Sequence, residues 1–271
     1  SAQNTPAGSK RGRPLAVVLG GGSARGFAHI GVIKAFEAAG ITPDLIVGCS
    51  AGSLVGAFWA AGFSGADMER VALQVQDREV IDLVSGGNSQ QGMVTGQSLQ
   101  NFVNQALAGR PIESLRTRFM AVATEYPSGE LVTFDRGDVG FAVRASCSIP
   151  GIFVPARRGG TRYLDGGLVS PLPVGTARRN GAGTVIAVDI GGSAPPGDSD
   201  EGFGIYKVLL RSFEIISDAL RKHEAAGAHV LIRPGVDHVS STNFAAREAL
   251  IAIGMQAGTR LMPVIREIAG Q

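Results

Sequence analysis

The sequence is short of cysteine, of charge and of long apolar runs, and each shortage removes a class of protein. Two cysteines, Cys49 and Cys147, are too few for a disulfide scaffold, although one bridge between them stays open. Charged residues make up 18%, the net charge is +2, and no basic block follows Lys10-Arg11-Gly12-Arg13. A basic face for nucleic acid is therefore not expected. No apolar run nears the roughly 18 residues of a membrane-spanning helix. Hydrophobic residues still form 44% of the 271, enough for a sizeable core.

Glycine runs the other way. There are 39, about twice the usual share of ~7%, and they gather at the ends of predicted strands, where tight turns build α/β sites. Residues 1–13 carry too little apolar content to fold and read as a flexible N-terminal lead-in. Residues 14–271 read as one α/β domain. The chain begins with Ser1, not Met. A removed signal segment and a remnant of expression explain that equally well, so cytoplasm and periplasm are both open.

The patterning starts with Leu15-Ala16-Val17-Val18-Leu19, a buried parallel strand ending at Gly20-Gly21-Gly22. A helix over about 25–39 stops at Gly40. Asp44-Leu45-Ile46-Val47 is a second strand, and Gly48 to Gly52 turns into an apolar helix that runs to Gly62. This βαβα opening predicts a right-handed crossover. Beyond it the spacing predicts helices over 65–84, 98–107, 138–146, 206–226 and 245–268. Strands are predicted over 119–124, 131–134, 184–189 and 230–233. The stretch 85–96 reads as a polar loop and 191–204 as a mobile one.

Gly48-Cys49-Ser50-Ala51-Gly52 lies between a buried strand and a helix, the setting of a nucleophile elbow. Small residues at Gly48 and Gly52 permit the sharp turn and leave the Ser50 hydroxyl at a helix N-terminus. The bland alternative is a serine that only caps its helix. Gly20 to Gly22 also precede a helix, so their amides form an anion site. A P-loop lysine is missing, and the dinucleotide pattern is out of register and lacks its acidic residue. An oxyanion hole is the better reading.

A serine needs a base. His29 reads as structural and His223 as solvated, while His229 and His238 flank a strand and stay in contention. The carboxylate alternative is Asp165, in Asp165-Gly166-Gly167.

Gly20-Gly21-Gly22-x-x-Arg25-Gly26, Gly48-x-Ser50-x-Gly52 and Asp165-Gly166-Gly167 together resemble the patatin-like phospholipases. Ala28-His29-Ile30-Gly31-Val32, the segment Ala145 to Phe153 and Gly167-Leu168-Val169-Ser170-Pro171-Leu172-Pro173 add to the likeness, which runs from about residue 14 to 190. The chain looks most like the bacterial branch related to neuropathy target esterase. The resemblance implies a three-layer α/β fold, a central mostly parallel sheet flanked by helices. It implies a serine acylhydrolase of phospholipids or lysophospholipids, with an acyl-enzyme at Ser50 and Asp165 as base. Gly20, Gly21 and Gly22 would form the oxyanion hole, with Arg25, Gly48, Gly52, Gly166 and Gly167 in support. No cofactor and no metal are implied. The substrate would be a lipid ester presented at a membrane surface. A lipid-binding or regulatory protein with little turnover is the alternative.

One departure is Cys49, where the family commonly has Thr. Packing is the favoured role there, ahead of a redox-sensitive thiol or a bridge to Cys147. Candidates for lipid access are the 85–96 and 191–204 loops and the stripe Ile205, Leu209, Phe213, Ile216 and Leu220. That stripe is expected to pack on the sheet.

Overall fold

The computed structural model describes residues 13–83, 91–192, 195 and 204–270. Residues 1–12 of the predicted lead-in, 85–90 of the first loop and most of the 191–204 loop lie outside these residues.

Alternation along the strands decides the layering. In β1 (Leu15–Leu19) every residue is buried, yet Leu15, Val17 and Leu19 join one apolar cluster while Ala16 and Val18 join another. In β2 (Leu45–Cys49), Ile46 enters the first cluster and Leu45, Val47 and Cys49 the second. Successive side chains leave a strand on opposite faces, so a strand apolar on both is covered on both. The outcome is helix, sheet, helix.

Helix α1 (Phe27–Ala38) follows β1 and α2 (Ala51–Ala60) follows β2, as the sequence predicts. The helix expected over 65–84 is instead two, α3 (Gly65–Gln74) and α4 (Asp77–Val80). Ser64 and Asp67 form a capping box on the first, and Glu79 accepts the Gln76 N–H at the start of the second. A new cap starts a new helix. Next come α5 (Gln97–Ala106), β3 (Arg118–Tyr126), β4 (Leu131–Phe134) and α6 (Val139–Ser146). A hairpin, β5 (Ala156–Arg158) with β6 (Thr161–Asp165), and helix α7 (Val174–Arg179) are additions to the sequence reading. Their shortness and their arginines hide the periodicity. Strand β7 (Thr184–Val188), α8 (Ile205–Ala225), β8 (Val230–Ile232) and α9 (Arg247–Ile268) complete the chain.

The strand order is β5-β6-β3-β2-β1-β7-β8, with β4 paired to β3. Neighbours from β3 through β2, β1 and β7 to β8 are parallel. Those involving β4, β5 and β6 are antiparallel. The chain leaves β1 for β2 on one side and returns to β7 on the other. Crevices at the carboxyl ends of strands open where order reverses in this way.

Helix α8 departs from expectation. Of its predicted inward stripe, Ile205, Leu209 and Ile216 are 69%, 38% and 49% exposed, and Val208 and Ile215 are exposed beside them. The inward side carries Phe213 together with polar groups. Ser217 Oγ donates to Gly167 O at 2.8 Å, and Arg221 pairs with the buried Asp189 at 2.7 Å. Glu224 accepts from Ser170 Oγ at 2.6 Å and from Leu172 N at 3.0 Å. These anchors fix the rotation of the helix about its axis, leaving Ile205 and Ile216 outward while Phe213 and Leu220 are partly covered and Phe213 borders the pocket at Ser50.

Candidate active site

Ser50 and Asp165 are distant in sequence, and sheet register brings them together. Cys49 pairs with Val122 across β2 and β3, and the next β3 residue, Ala123, pairs with Asp165 on β6. Backbone pairing therefore sets Asp165 beside the turn that follows Cys49. The segment ending α6 braces both residues: Ser50 N–H donates to Ser146 Oγ at 2.8 Å, and Asp165 N–H donates to Ser148 O at 2.9 Å.

Ser50 has φ 54° and ψ −122°, a conformation that costs a non-glycine residue on the order of 1–3 kcal/mol. It is the sharp strand-to-helix turn that the motif predicts. The close flanks explain the glycines. A Cβ at Gly52 would stand 2.0 Å from Leu19 O, and one at Gly48 would stand 2.5 Å from Gly52 O.

Asp165 is fully buried, and burial pushes its carboxyl up to about 7 against the opposing pull of the Gly167 N–H, the Ser50 hydroxyl and the Cys49 thiol. Its Oδ1 accepts from Gly167 N at 2.7 Å and lies 3.9 Å from Cys49 Sγ. Its Oδ2 has no formed hydrogen bond. Ser50 and Asp165 line the same pocket, and catalytic hydrogen bonds commonly tighten only once substrate is bound.

The glycine loop is narrower in its chemistry than the sequence suggests. Gly20 N–H is used by Val188 O at 3.0 Å and Gly21 N–H by Pro171 O at 3.1 Å, so neither points an unused donor at a ligand. Among the described residues, Gly22, Ser23 and Ala51 have amides without a protein acceptor. Ala51 follows Ser50 at the start of α2, and Gly22 and Ser23 border the same cavity as Ser50. Arg25, just after the loop, is buried and donates to Val239 O at 3.0 Å and Gly192 O at 3.1 Å.

The histidines fall away from the serine. His29 bonds Gly20 O through Nε2 at 2.7 Å, and burial lowers it to about 4, so it is neutral and structural. His229 Nδ1 accepts from Val185 N near the start of β7, and His223 and His238 are exposed. Cys49 and Cys147 are both buried free thiols, with no bridge between them. Burial raises both, so neither is a thiolate.

Two hollows meet at Ser50. One, of about 40 Å³, is lined by Gly22, Arg25, Asp165, Glu214, Asp218 and Arg221 among others. The second, of about 240 Å³, is an apolar groove between α2, α3 and α5, bordered by Leu54, Val55, Phe58, Met68, Phe102 and Phe153. The groove and the anchors on α8 are absent from the sequence reading. Their residues carry ordinary core or surface patterns.

A serine on a strained strand-to-helix turn, a buried carboxylate beside it and free amides at a helix start form an α/β site of the kind serine hydrolases use. The chain belongs to the patatin-like phospholipase family, whose profile matches residues 17–178. An NTE family protein of Mycobacterium tuberculosis is 35% identical over 179 residues, covering 66% of this chain and 49% of that protein. Lysophospholipase NTE1 of Coccidioides immitis is 29% identical over 96% of this chain and 18% of its own length. The chain thus spans about half, or less, of the curated relatives it matches. The crystal structure of VipD from Legionella pneumophila shares the fold, with a TM-score of 0.59 at 15% identity over 93% of this chain and 67% of that one.

Proposed function

We propose that this chain is a serine acylhydrolase that cleaves carboxylic esters of phospholipids or lysophospholipids, with Ser50 as nucleophile and Asp165 as base. The observation that carries the reading is the buried Asp165 carboxyl, raised to about 7 and set against Ser50 at the junction of a polar pocket and an apolar groove. A carboxylate of ordinary strength is a poor base for a hydroxyl; one tuned near neutrality is matched to the task.

In the first half-reaction Asp165 takes the hydroxyl proton while Ser50 Oγ bonds to the ester carbonyl carbon. The oxyanion meets the amides of Gly22, Ser23 and Ala51; one such donor is typically worth ~2.7–4 kcal/mol of barrier. The carbon–oxygen bond to the alcohol breaks, and Asp165 returns the proton to that leaving oxygen. Water then gives a proton to Asp165 and attacks the acyl carbon; the acyl–Oγ bond breaks, Asp165 passes that proton to Ser50 Oγ, and the acid leaves. The acyl chain lies in the apolar groove and the alcohol portion in the polar pocket.

No helix among the described residues is long and apolar enough to cross a membrane. The outward stripe of α8 and the exposed Leu83 support contact with a lipid surface instead, as for an interfacial helix. Fluorophosphonate labelling at Ser50, and fatty acid release from a lipid panel read by mass spectrometry, test the function. Intact Ser50→Ala protein that releases acid at the parental rate overturns it. Tight lipid binding with no product on long incubation selects the lipid-binding alternative.

A further inference from the structure

We propose that Arg247 sets the width of the acyl groove, and with it the chain lengths the site accepts; this rests on the acylhydrolase reading above. Arg247 is the first residue of α9, and its guanidinium reaches across to the end of α3. Nη1 donates to Ala72 O at 2.6 Å and Val75 O at 2.8 Å, Nη2 to Asp77 Oδ1 at 3.0 Å, and Nε to Phe244 O at 2.8 Å. Its Cζ lies 5.3 Å from the centre of the Phe27 ring, which meets Phe244 edge to face at 6.3 Å. All six residues border the groove. One side chain therefore ties the wall made by Phe27 and Phe244 to the wall made by α3 and α4.

The placement has a cost and a compensation. A cation at the start of its own helix opposes the helix dipole, whereas the end of α3 attracts it. The Gln76 N–H, which would meet Ala72 O in a continuing helix, turns to Glu79 instead. Arg247 takes over that carbonyl. The Arg247 side chain is 17% exposed and Asp77 68%, so the tie runs along the rim of the groove, not through the polar pocket. A planar fork with five donors can hold all these acceptors together; an ammonium cannot. Arg247 is thus a positioning residue, remote from the reacting atoms.

The test compares nitrophenyl butyrate, octanoate, laurate and palmitate on the parent, Arg247→Met, Arg247→Lys and Asp77→Asn. In Arg247→Met, KM is expected to rise with chain length, to roughly tenfold for palmitate, while kcat and KM for butyrate hold. Lys should not rescue, and Asp77→Asn, at an exposed carboxylate, should shift the same way by roughly two- to threefold and folds regardless. Equal change at every chain length, no change at any, or full rescue by Lys overturns the proposal. If the parent turns over no ester, the function fails first. Binding of a dansylated fatty acid to Ser50→Ala, with and without Arg247→Met, still judges the groove: weaker binding in the double variant supports the strap, and equal binding sinks it.

Discussion

The polar pocket over Asp165 and the apolar groove beside α2 share Ser50 and Ser23 but are built by opposite means. The pocket takes side chains from distant segments and fixes each through hydrogen bonds or buried ion pairs. Arg221 pairs with Asp189, Arg25 donates to Gly192 O and Gly167 N–H donates to Asp165. The groove takes one face from each of several helices and is held by packing, with Arg247 as its polar fastening. The pocket is therefore sensitive to single atoms, and the groove to volume.

Four variants would break or sharpen that contrast. Ser50→Ala should cut ester turnover by at least about 10³-fold with the fold intact; residual activity near the parent's would remove the shared centre of both hollows.

Asp165→Asn comes next, with a loss on the order of 10³-fold. It also bears on stability. Because Asp165 is raised from 3.8 to about 7 in the folded protein, the native state binds the proton more tightly than the unfolded chain, and stability falls as pH rises from about 4 to 7. Asn removes the buried charge, so its stabilisation should be greatest above pH 7, on the order of 4 kcal/mol, and vanish below pH 4. Melting temperatures across pH measure it. A pH-independent difference would mean the carboxyl is not raised. The same titration sets the parent's kcat/KM, which should climb through pH 7 and level above it.

Leu54→Trp fills the groove and leaves the pocket alone. Palmitate ester hydrolysis should drop roughly 10–100-fold while butyrate ester hydrolysis changes little. Equal loss on both would show that the groove does not hold the chain. The smallest effect is expected outside both hollows. Ile205, Leu209 and Ile216 changed together to Ser should lower turnover of vesicle lipid by roughly threefold to tenfold and spare dissolved short esters. Unchanged vesicle turnover would detach α8 from lipid contact.

The two hollows were unequally legible in the sequence. Gly48, Ser50 and Gly52 could be read because a sharp turn tolerates only small flanks, and that steric demand leaves a spacing. Asp165 was recognisable from the family pattern, while the register that delivers it depends on strand β6, whose alternation is masked by Arg162 and Tyr163. Gly20 and Gly21 were expected as oxyanion donors. Their amides go to Val188 and Pro171, partners that only the folded sheet supplies. The apolar stripe on α8 is legible, but periodicity gives an apolar face without giving its direction. Phe58, Met68 and Phe102 carry the apolar spacing of any core helix, so nothing local separates a groove wall from a core.

The pairing of Cys49 with Val122, and of Ala123 with Asp165, has a consequence for how such a protein can change length. Inserting or deleting residues in the connections between β2, β3 and β6 changes the length of chain between nucleophile and carboxylate but leaves their separation to the ladder of backbone bonds. One residue added inside Phe119–Val122 would turn every later side chain of β3 to the other face and carry β6 out of step. Growth between the two motifs is therefore tolerated where strands end and forbidden where they pair, so the gap in numbering can drift while the gap in space does not.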